Sequence, residues 1–273
     1  MEIVVCGSGV GRFLGSRAGS GWLIGLKDNY VLFDCGPGVP LRIADNGIDF
    51  ENIKGIFISH LHFDHIQGVG ELITQYEASD KEMPPIYGPS GIKKYIDSAV
   101  KWSDFQFENR DTNPKNTVKV IEVSPGTPYN LNEYTVTPIE VPHSVRLQAC
   151  SYKITDGTQT AVYSGDTPYV PDILVPFITG SNILIHEAHS LGALDLHSNQ
   201  GTRERAARIQ QIFPISHSTV SEAVKIAQSS GVDKLVLSHL LPTETKEMLM
   251  AEINDLKFQG EIVIPKDGLK IQI

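Results

Sequence analysis

Residues 59–65 read Ser-His-Leu-His-Phe-Asp-His, and they directly follow the apolar run Ile56-Phe57-Ile58. In a strand, alternate side chains would crowd one face, whereas in a loop just past a strand end they can converge on one point. Imidazole and carboxylate groups are ligands for zinc, iron or manganese. The density of the motif favours a metal site over a polar loop that is rich in histidine by chance. Its four candidate ligands are His60, His62, Asp64 and His65.

Further histidine and aspartate residues follow aliphatic or β-branched runs, where strands are expected to end. They are Asp34 in Asp34-Cys35-Gly36, His143 in Val-Pro-His-Ser, Asp166 in Ser-Gly-Asp-Thr and His239 in Leu-Ser-His-Leu. Taken alone, each histidine is more often structural, and Asp166 is compatible with a simple turn. The joint occurrence of His143, Asp166 and His239 with the first cluster is what favours a metal site.

Together these motifs resemble the signature of the metallo-β-lactamase superfamily, along nearly the whole chain. The motif His217-Ser218-Thr219 is similar to one found in the ribonuclease Z and arylsulfatase-like branch. The resemblance implies an α/β (α+β) fold, a four-layer αββα sandwich with helices outside two sheets. It also implies a single domain over residues 1–273, whose two halves meet near residue 130.

The resemblance further implies two divalent metal ions, foremost zinc, with manganese or iron as alternatives. It assigns one ion to His60, His62 and His143, the other to Asp64, His65 and His239, and makes Asp166 the bridge. Metal binding lowers the pKa of coordinated water to about 7, which supplies hydroxide for attack on an ester. Asp64 is also expected to orient the nucleophile or relay a proton.

His217 lies outside this ligand set, just before Thr219-Val220-Ser221-Glu222, a sequence that predicts a helix capping box. A helix N-terminus suits an anion, so His217 is expected to contact the substrate or protonate its leaving oxygen; a plain helix start is the alternative. Glu187 is expected, on resemblance alone, to orient His217. Three more histidines match no role and are expected at the surface or behind the ligands, namely His186, His189 and His197.

The remaining pattern alternates strand-like and helix-like segments, which is typical of a layered α/β domain. Residues 261–264 and 268–273 predict a terminal hairpin. Residues 188–216 predict a helical insertion over the site, and its arginines indicate a solvated helix face rather than a phosphate-binding patch: Arg203, Arg205 and Arg208. The glycine-rich residues 7–11 lack a nucleotide-binding signature and predict a tight turn near the active-site edge.

The composition of the chain indicates the compartment in which the protein is expected. The 273 residues are 41% hydrophobic with a net charge of −9. No apolar run is long enough for a membrane span, and no leader pattern is evident at Met1. Three isolated cysteines indicate reduced thiols, so we expect a cytoplasmic protein.

Four functions fit these observations. The first is a phosphodiesterase acting on a small anionic ester, and the second is a ribonuclease Z that processes tRNA 3′ ends. Full-length ribonucleases Z carry a basic arm between the residues matched by His143 and Asp166, which only 22 residues separate here. This and the acidic charge make tRNA an unexpected partner. An arylsulfatase or lactonase is the third possibility, and a non-enzymatic metal-binding protein the least favoured. A homodimer is expected from the resemblance alone.

Overall fold

A computed structural model describes residues 1–11, 16–104, 118–193 and 211–273. Two seven-stranded sheets form its centre. In spatial order, the first sheet contains β14 (Lys270–Gln272), β1 (Glu2–Gly7), β2 (Gly21–Leu26), β3 (Asn29–Phe33), β4 (Ile53–Phe57), β5 (Ile86–Gly88) and β6 (Val120–Glu122).

The second sheet contains the strands of the other half of the chain. In spatial order they are β13 (Glu261–Val263), β12 (Lys234–Ser238), β11 (Ile183–Glu187), β10 (Thr160–Tyr163), β9 (Ala149–Thr155), β8 (Tyr134–Val141) and β7 (Tyr129–Leu131). The chain therefore changes sheet between residues 122 and 129, close to the predicted junction near residue 130.

Helices cover the outer faces of both sheets, which gives the predicted αββα order of layers. On the first sheet these are α1 (Val39–Asp45), α3 (Val69–Ala78) and α4 (Ile92–Asp104), and the short α2 (Phe63–Ile66) lies in the histidine-rich loop. On the second sheet they are α5 (Pro171–Ile178), α6 (Val220–Ser230) and α7 (Lys246–Asn254).

The alternation of side chains along the strands builds three apolar layers. In β1, Ile3 and Val5 enter the core between the sheets, whereas Val4 and Cys6 pack beneath the helices. The central core contains large aromatic rings, among them Phe57, which stacks on Tyr87 with ring centroids 4.3 Å apart. Both sheets thus bury both faces, which explains why their strands read as apolar runs rather than as strict alternation.

The predicted terminal hairpin is wrong. Residues Glu261–Val263 pair in parallel with β12 in the second sheet, whereas Lys270–Gln272 pair antiparallel with β1 in the first. Two short apolar runs separated by a Gly-containing loop satisfy the hairpin pattern locally. The unpaired edges of two different sheets offer each run a longer-range partner instead.

Other predictions have different outcomes. Within the described residues, no helix is both long and apolar enough to cross a bilayer. All three cysteines are free and buried. The single domain, the homodimer and the cytoplasmic location stay predictions.

Candidate metal centre

One edge of the sandwich collects the motif residues. In the second sheet β10, β11 and β12 run parallel, so their carboxyl ends lie at the same edge. Asp166 follows β10, Glu187 ends β11 and His239 follows β12. His143 follows β8, and the loop after β4 in the first sheet supplies the histidine-rich stretch. The seven predicted ligands therefore meet although they come from four chain segments.

The first cluster contains His60, His62, His143 and Asp166. The Nδ1 atom of His62 lies 2.9 Å from His60 Nε2 and 3.1 Å from His143 Nε2. The Oδ2 atom of Asp166 lies 3.8 Å from both of those Nε2 atoms. Three ring nitrogens and one carboxylate oxygen thus converge on one small volume.

The second cluster contains Asp64, His65 and His239. His239 Nε2 lies 3.2 Å from Asp64 Oδ2, and His65 Nε2 lies 4.0 Å from the same oxygen. Asp166 faces this cluster too, with Oδ1 3.3 Å from His65 Nε2 and Oδ2 3.3 Å from His239 Nε2. The carboxylate of Asp166 therefore lies between the two clusters.

Hydrogen bonds at the outer ring nitrogens direct the inner nitrogens of three histidines toward the clusters. His65 Nδ1 lies 2.6 Å from Asp34 Oδ2. His143 Nδ1 lies 2.7 Å from the Ser216 carbonyl oxygen. His60 Nδ1 lies 3.0 Å from Ser59 Oγ. A histidine that donates from Nδ1 presents a lone pair at Nε2, which is the form that binds a metal ion.

Two buried atoms in the clusters, His65 Nε2 and Asp166 Oδ1, have no hydrogen-bond partner among the described residues. Buried polar atoms are rarely left without a partner, so the donor set fits bound cations. Burial lowers the pKa of His60 and of His143, which keeps both rings neutral. Burial opposes ionisation of Asp166, but His239 and His65 hold its pKa well below the usual range.

The pKa of His65 shifts in the opposite direction to those of His60 and His143. Burial alone would lower its pKa, but the Asp166 and Asp34 carboxylates raise it well above the usual value. A metal ion at Nε2 would therefore displace a proton.

Asp34 anchors His65 from behind, a role that sequence reasoning left unassigned. Its fully buried carboxylate accepts hydrogen bonds from Ser59 N (2.6 Å), Ser59 Oγ (2.7 Å) and Tyr163 OH (2.6 Å), besides the contact with His65. Its backbone has a left-handed φ of 57°. Two residues further on, position 36 has room for glycine but not for a larger residue, because a Cβ there would lie 2.0 Å from the Asp64 carbonyl oxygen. The motif Asp34-Cys35-Gly36 is the sequence signal from which the importance of Asp34 could have been inferred.

Glu187 and His217 form the expected pair. His217 Nδ1 lies 2.8 Å from Glu187 Oε2, and the ring of His217 stacks on Phe213 and on His239, with centroids 5.6 Å and 5.4 Å away. Burial would lower the pKa of His217, but Glu187 raises it. In Glu187, burial opposes ionisation, but His217 above all lowers the pKa to about 2. The ring of His217 thus faces the clusters, with 23% of its side chain exposed.

The unmatched histidines are not at the surface where the structure describes them. His186 is fully buried, with Nδ1 2.6 Å from the Glu187 carbonyl oxygen. His189 is 3% exposed and lies beside the clusters. Burial would lower its pKa, but Glu187 and Glu244 raise it to about 10. The sequence carried no recognisable signal for Glu244. His197 lies outside the described residues.

The predicted capping box at the start of α6 is confirmed. Thr219 caps α6 and exchanges hydrogen bonds with Glu222. Glu222 N donates to Thr219 Oγ1, and Val220 N donates to the His189 carbonyl oxygen. These amides of the helix start therefore already have partners within the chain, and the contact of His217 with a substrate anion stays a prediction.

Other sequence predictions concern the surroundings of the clusters. The turn at residues 7–11 does lie at this edge, since a Cβ on Gly11 would be 2.9 Å from Asp64 Cβ. Of the predicted insertion at 188–216, the structure describes residues 188–193 and 211–216, and the latter are helical. Three arginines of the predicted solvated face lie outside the described residues: Arg203, Arg205 and Arg208.

Two stacked sheets with paired histidine and aspartate clusters at one edge define a metal-dependent hydrolase of the metallo-β-lactamase fold. This fold implies divalent metal binding. Residues 29–240 match the Beta-lactamase superfamily domain, and the chain belongs to that family. The suspected family and the fold class are thereby confirmed.

Individual relatives share modest identity over most of their length. A ribonuclease Z of Mycobacterium sp. (strain KMS) is 29% identical over 251 residues, covering 89% of this chain and 85% of the relative. The probable metallo-hydrolase YhfI of Bacillus subtilis (strain 168) is 28% identical over 273 residues, covering 98% of each. The crystal structure of YhfI superposes with a TM-score of 0.75 at 26% identity, covering 98% of both chains.

A human protein shares the fold at lower identity. The short form of human tRNase Z has a TM-score of 0.70 at 20% identity, covering 100% of this chain and 99% of the human one.

Proposed function

We propose that this hydrolase is binuclear and acts on a small anionic ester, foremost a phosphodiester. The observation that carries the proposal is the position of Asp166, whose carboxylate lies between two donor clusters. One ion is assigned to the first cluster and one to the second, with Asp166 shared. The assigned ligands are His60, His62, His143, Asp64, His65, His239 and Asp166. Zinc suits this mixture of imidazole and carboxylate ligands, as do manganese and iron.

Paired divalent cations, when bound, acidify coordinated water and polarise ester oxygens. The side chains of this chain supply the rest of the reaction. Asp64, which has the most exposed side chain of the second cluster, is proposed to orient the attacking water. Glu187 holds His217 by its Nδ1 atom, which leaves Nε2 to donate a proton to the leaving oxygen. The rings of Phe213 and His239 fix the plane of that imidazole.

The preference for a small substrate is supported by the connection between His143 and Asp166. The hairpin of β9 and β10 takes up most of that connection. No long basic segment is therefore available there to hold a folded RNA. The net charge of −9 also opposes binding of a polyanion, because phosphate contacts depend on clustered Lys and Arg.

A tRNA 3′-processing ribonuclease is the second candidate function. It is favoured by the relatives that carry the name ribonuclease Z. An arylsulfatase or lactonase would use the same centre, so these two activities are outcomes that the substrate test must separate.

The test begins with metal content, measured by elemental analysis of purified, reconstituted protein. We expect two equivalents per chain. Asp166→Ala should reduce occupancy at both positions and abolish hydrolysis, because its carboxylate faces both clusters. Asp172→Ala, an exposed aspartate in α5, is the matched control and should change neither quantity. A wild-type stoichiometry that never exceeds one would refute the binuclear assignment.

The substrate class is tested with aryl phosphodiesters, aryl sulfates, lactones and a precursor tRNA. We expect the highest kcat/KM on a phosphodiester and weak binding of the tRNA. Accurate 3′ cleavage of the precursor tRNA, with tight and salt-sensitive binding, would refute this proposal and favour the tRNA 3′-processing ribonuclease.

A further inference from the structure

His189 is a buried histidine outside the proposed ligand set and the proposed proton donor. It lies two residues beyond Glu187, and its backbone is fixed on both sides. Its N–H donates to the Ser218 carbonyl oxygen (3.0 Å), and its carbonyl oxygen accepts from Val220 N (3.0 Å). The side chain therefore has a fixed origin between β11 and the start of α6.

Both ring nitrogens of His189 face groups of the site. The Nε2 atom lies 3.3 Å from His239 Nδ1 and 3.4 Å from Glu187 Oε2. The Nδ1 atom lies 3.6 Å from Glu244 Oε1 on the opposite side. The rings of His189 and His239 meet edge to face, with centroids 5.3 Å apart. His189 is thus held between two carboxylates while its edge contacts a proposed metal ligand.

Glu244 is itself fixed by the backbone. Its Oε1 atom accepts from Ser190 N (2.7 Å) and its Oε2 atom from Leu241 N (2.6 Å). Leu241 is two residues from His239, so Glu244 joins the segment after β12 to the segment after β11. A buried carboxylate with two backbone donors has one fixed orientation, so Glu244 places a fixed negative charge 3.6 Å from His189 Nδ1.

We infer that His189, supported by Glu244, is a positioning residue that holds His239 by its Nδ1 edge and keeps Glu187 aligned with His217. His239 Nε2 is thereby directed at Asp64 and Asp166. The residue joins the proposed metal centre to the proposed proton donor. Outer partners of a metal-binding histidine typically change metal affinity by 10–100-fold. The inference rests on the proposed function, because it takes His239 as a ligand.

The test compares His189→Ala with His186→Ala. His186 is buried in β11, three residues before His189, and its Nδ1 atom lies 2.6 Å from the neighbouring Glu187 carbonyl oxygen, so it controls for the loss of a buried histidine. Metal affinity is measured by competition with a chelator, and the geometry of the centre by the visible absorption spectrum of the cobalt-substituted protein. We expect His189→Ala to bind about 10–100-fold more weakly with an altered spectrum. His186→Ala should change thermal stability alone.

His189→Gln and Glu244→Gln extend the comparison. Gln at position 189 keeps a polar group that can reach His239 and should restore part of the affinity and the spectrum. Glu244→Gln should shift both readouts in the same direction as His189→Ala, and the double variant should be less than additive.

Two results would overturn the inference. One is a His189→Ala protein whose affinity and cobalt spectrum equal those of the wild type. The other is a third metal equivalent in the wild type that His189→Ala removes. Such an ion would be held by a group of four side chains that lie close enough together to be ligands: Glu187, His189, His217 and His239. A wild type that binds fewer than two equivalents would instead refute the proposed function itself.

Discussion

At the scale of single residues, the orientation of the candidate ligands depends on groups that do not face the metal positions. His65, His143 and His60 each have an oxygen partner at Nδ1. These partners select the tautomer and fix the ring, which lowers the reorganisation needed when a cation binds. His239 differs, because its outer contact is another imidazole and its backbone has a left-handed φ of 58°. Such strain persists only where the surrounding structure holds it.

Asp34→Asn should weaken metal binding by roughly 10–100-fold, as expected for loss of an outer partner of a ligand. Asparagine tolerates the left-handed backbone and has nearly the same volume, so the fold should persist. It removes the charge that accepts from His65 Nδ1. Tyr163→Phe is the control, because it removes one donor to Asp34 and leaves the contact with His65 intact. Chelator competition measures the affinities, and equal values for Asp34→Asn and wild type would contradict this role.

His217→Ala should leave both metal ions bound and lower kcat by roughly 10²–10⁴-fold, the usual range for a positioned acid. Glu187 and the stacked rings fix His217, but it is not among the assigned ligands. The loss should shrink for an ester with a very good leaving group, which needs no proton. Steady-state kinetics on esters of graded leaving-group pKa, with metal analysis, provide the measurement. Unchanged turnover of a poor leaving group would return His217 to a structural role.

At the scale of elements, helix α6 links stability to the site. Its cap residue Thr219 follows His217 closely and forms a backbone bridge with His189. The apolar face of α6 packs on the second sheet, so the helix start is held in place by the core. Helix α7 begins with a similar cap, Thr245, whose side chain accepts from Met248 N. The two caps allow a matched comparison.

Thr219→Ala and Thr245→Ala should each cost about 1 kcal/mol of unfolding free energy, the typical value of a lost N-cap. Only Thr219→Ala should also lower kcat, because fraying of the first turn of α6 releases the segment that carries His217. Urea denaturation and steady-state kinetics measure the two effects. An equal loss of turnover in both variants would show that the effect comes from general destabilisation.

At the scale of the whole molecule, the candidate centre joins the two sheets. The loop after β4 supplies ligands from the first sheet, whereas His143, Asp166 and His239 follow strands of the second. Asp34, which directly follows β3 of the first sheet, also accepts a hydrogen bond from Tyr163 of the second. Bound cations would therefore add to the contact between the layers, and their free energy of binding would count toward the stability of the whole fold.

With free metal at about 1,000 times Kd, binding should stabilise the fold by about 4 kcal/mol. Removal of that metal by a chelator should therefore lower Tm by roughly 10 °C. Asp166→Ala should show a much smaller response to the same chelator, because it lacks the carboxylate that both clusters share. Differential scanning calorimetry with and without chelator makes the comparison. An identical Tm for metal-loaded and metal-free wild type would argue against cations that link the sheets.

The sequence alone determined the family, the layered fold and the set of candidate ligands. Ligand chemistry is carried by residue types at short spacing, and the loop of residues 59–65 holds four of them. The capping box at Thr219 was equally visible, because its hydrogen bonds join residues three apart. Local signals of this kind need no knowledge of the remaining chain.

Only the tertiary structure decided which distant groups meet. The partner of β14 is the first strand rather than the nearby β13, since sheet edges compete for strands over any separation in sequence. Asp34 and Glu244 became visible as supports of His65 and His189 only through contacts across the fold. No spacing rule encodes such contacts, because parallel strands bring their carboxyl ends together whatever the length of the connections between them.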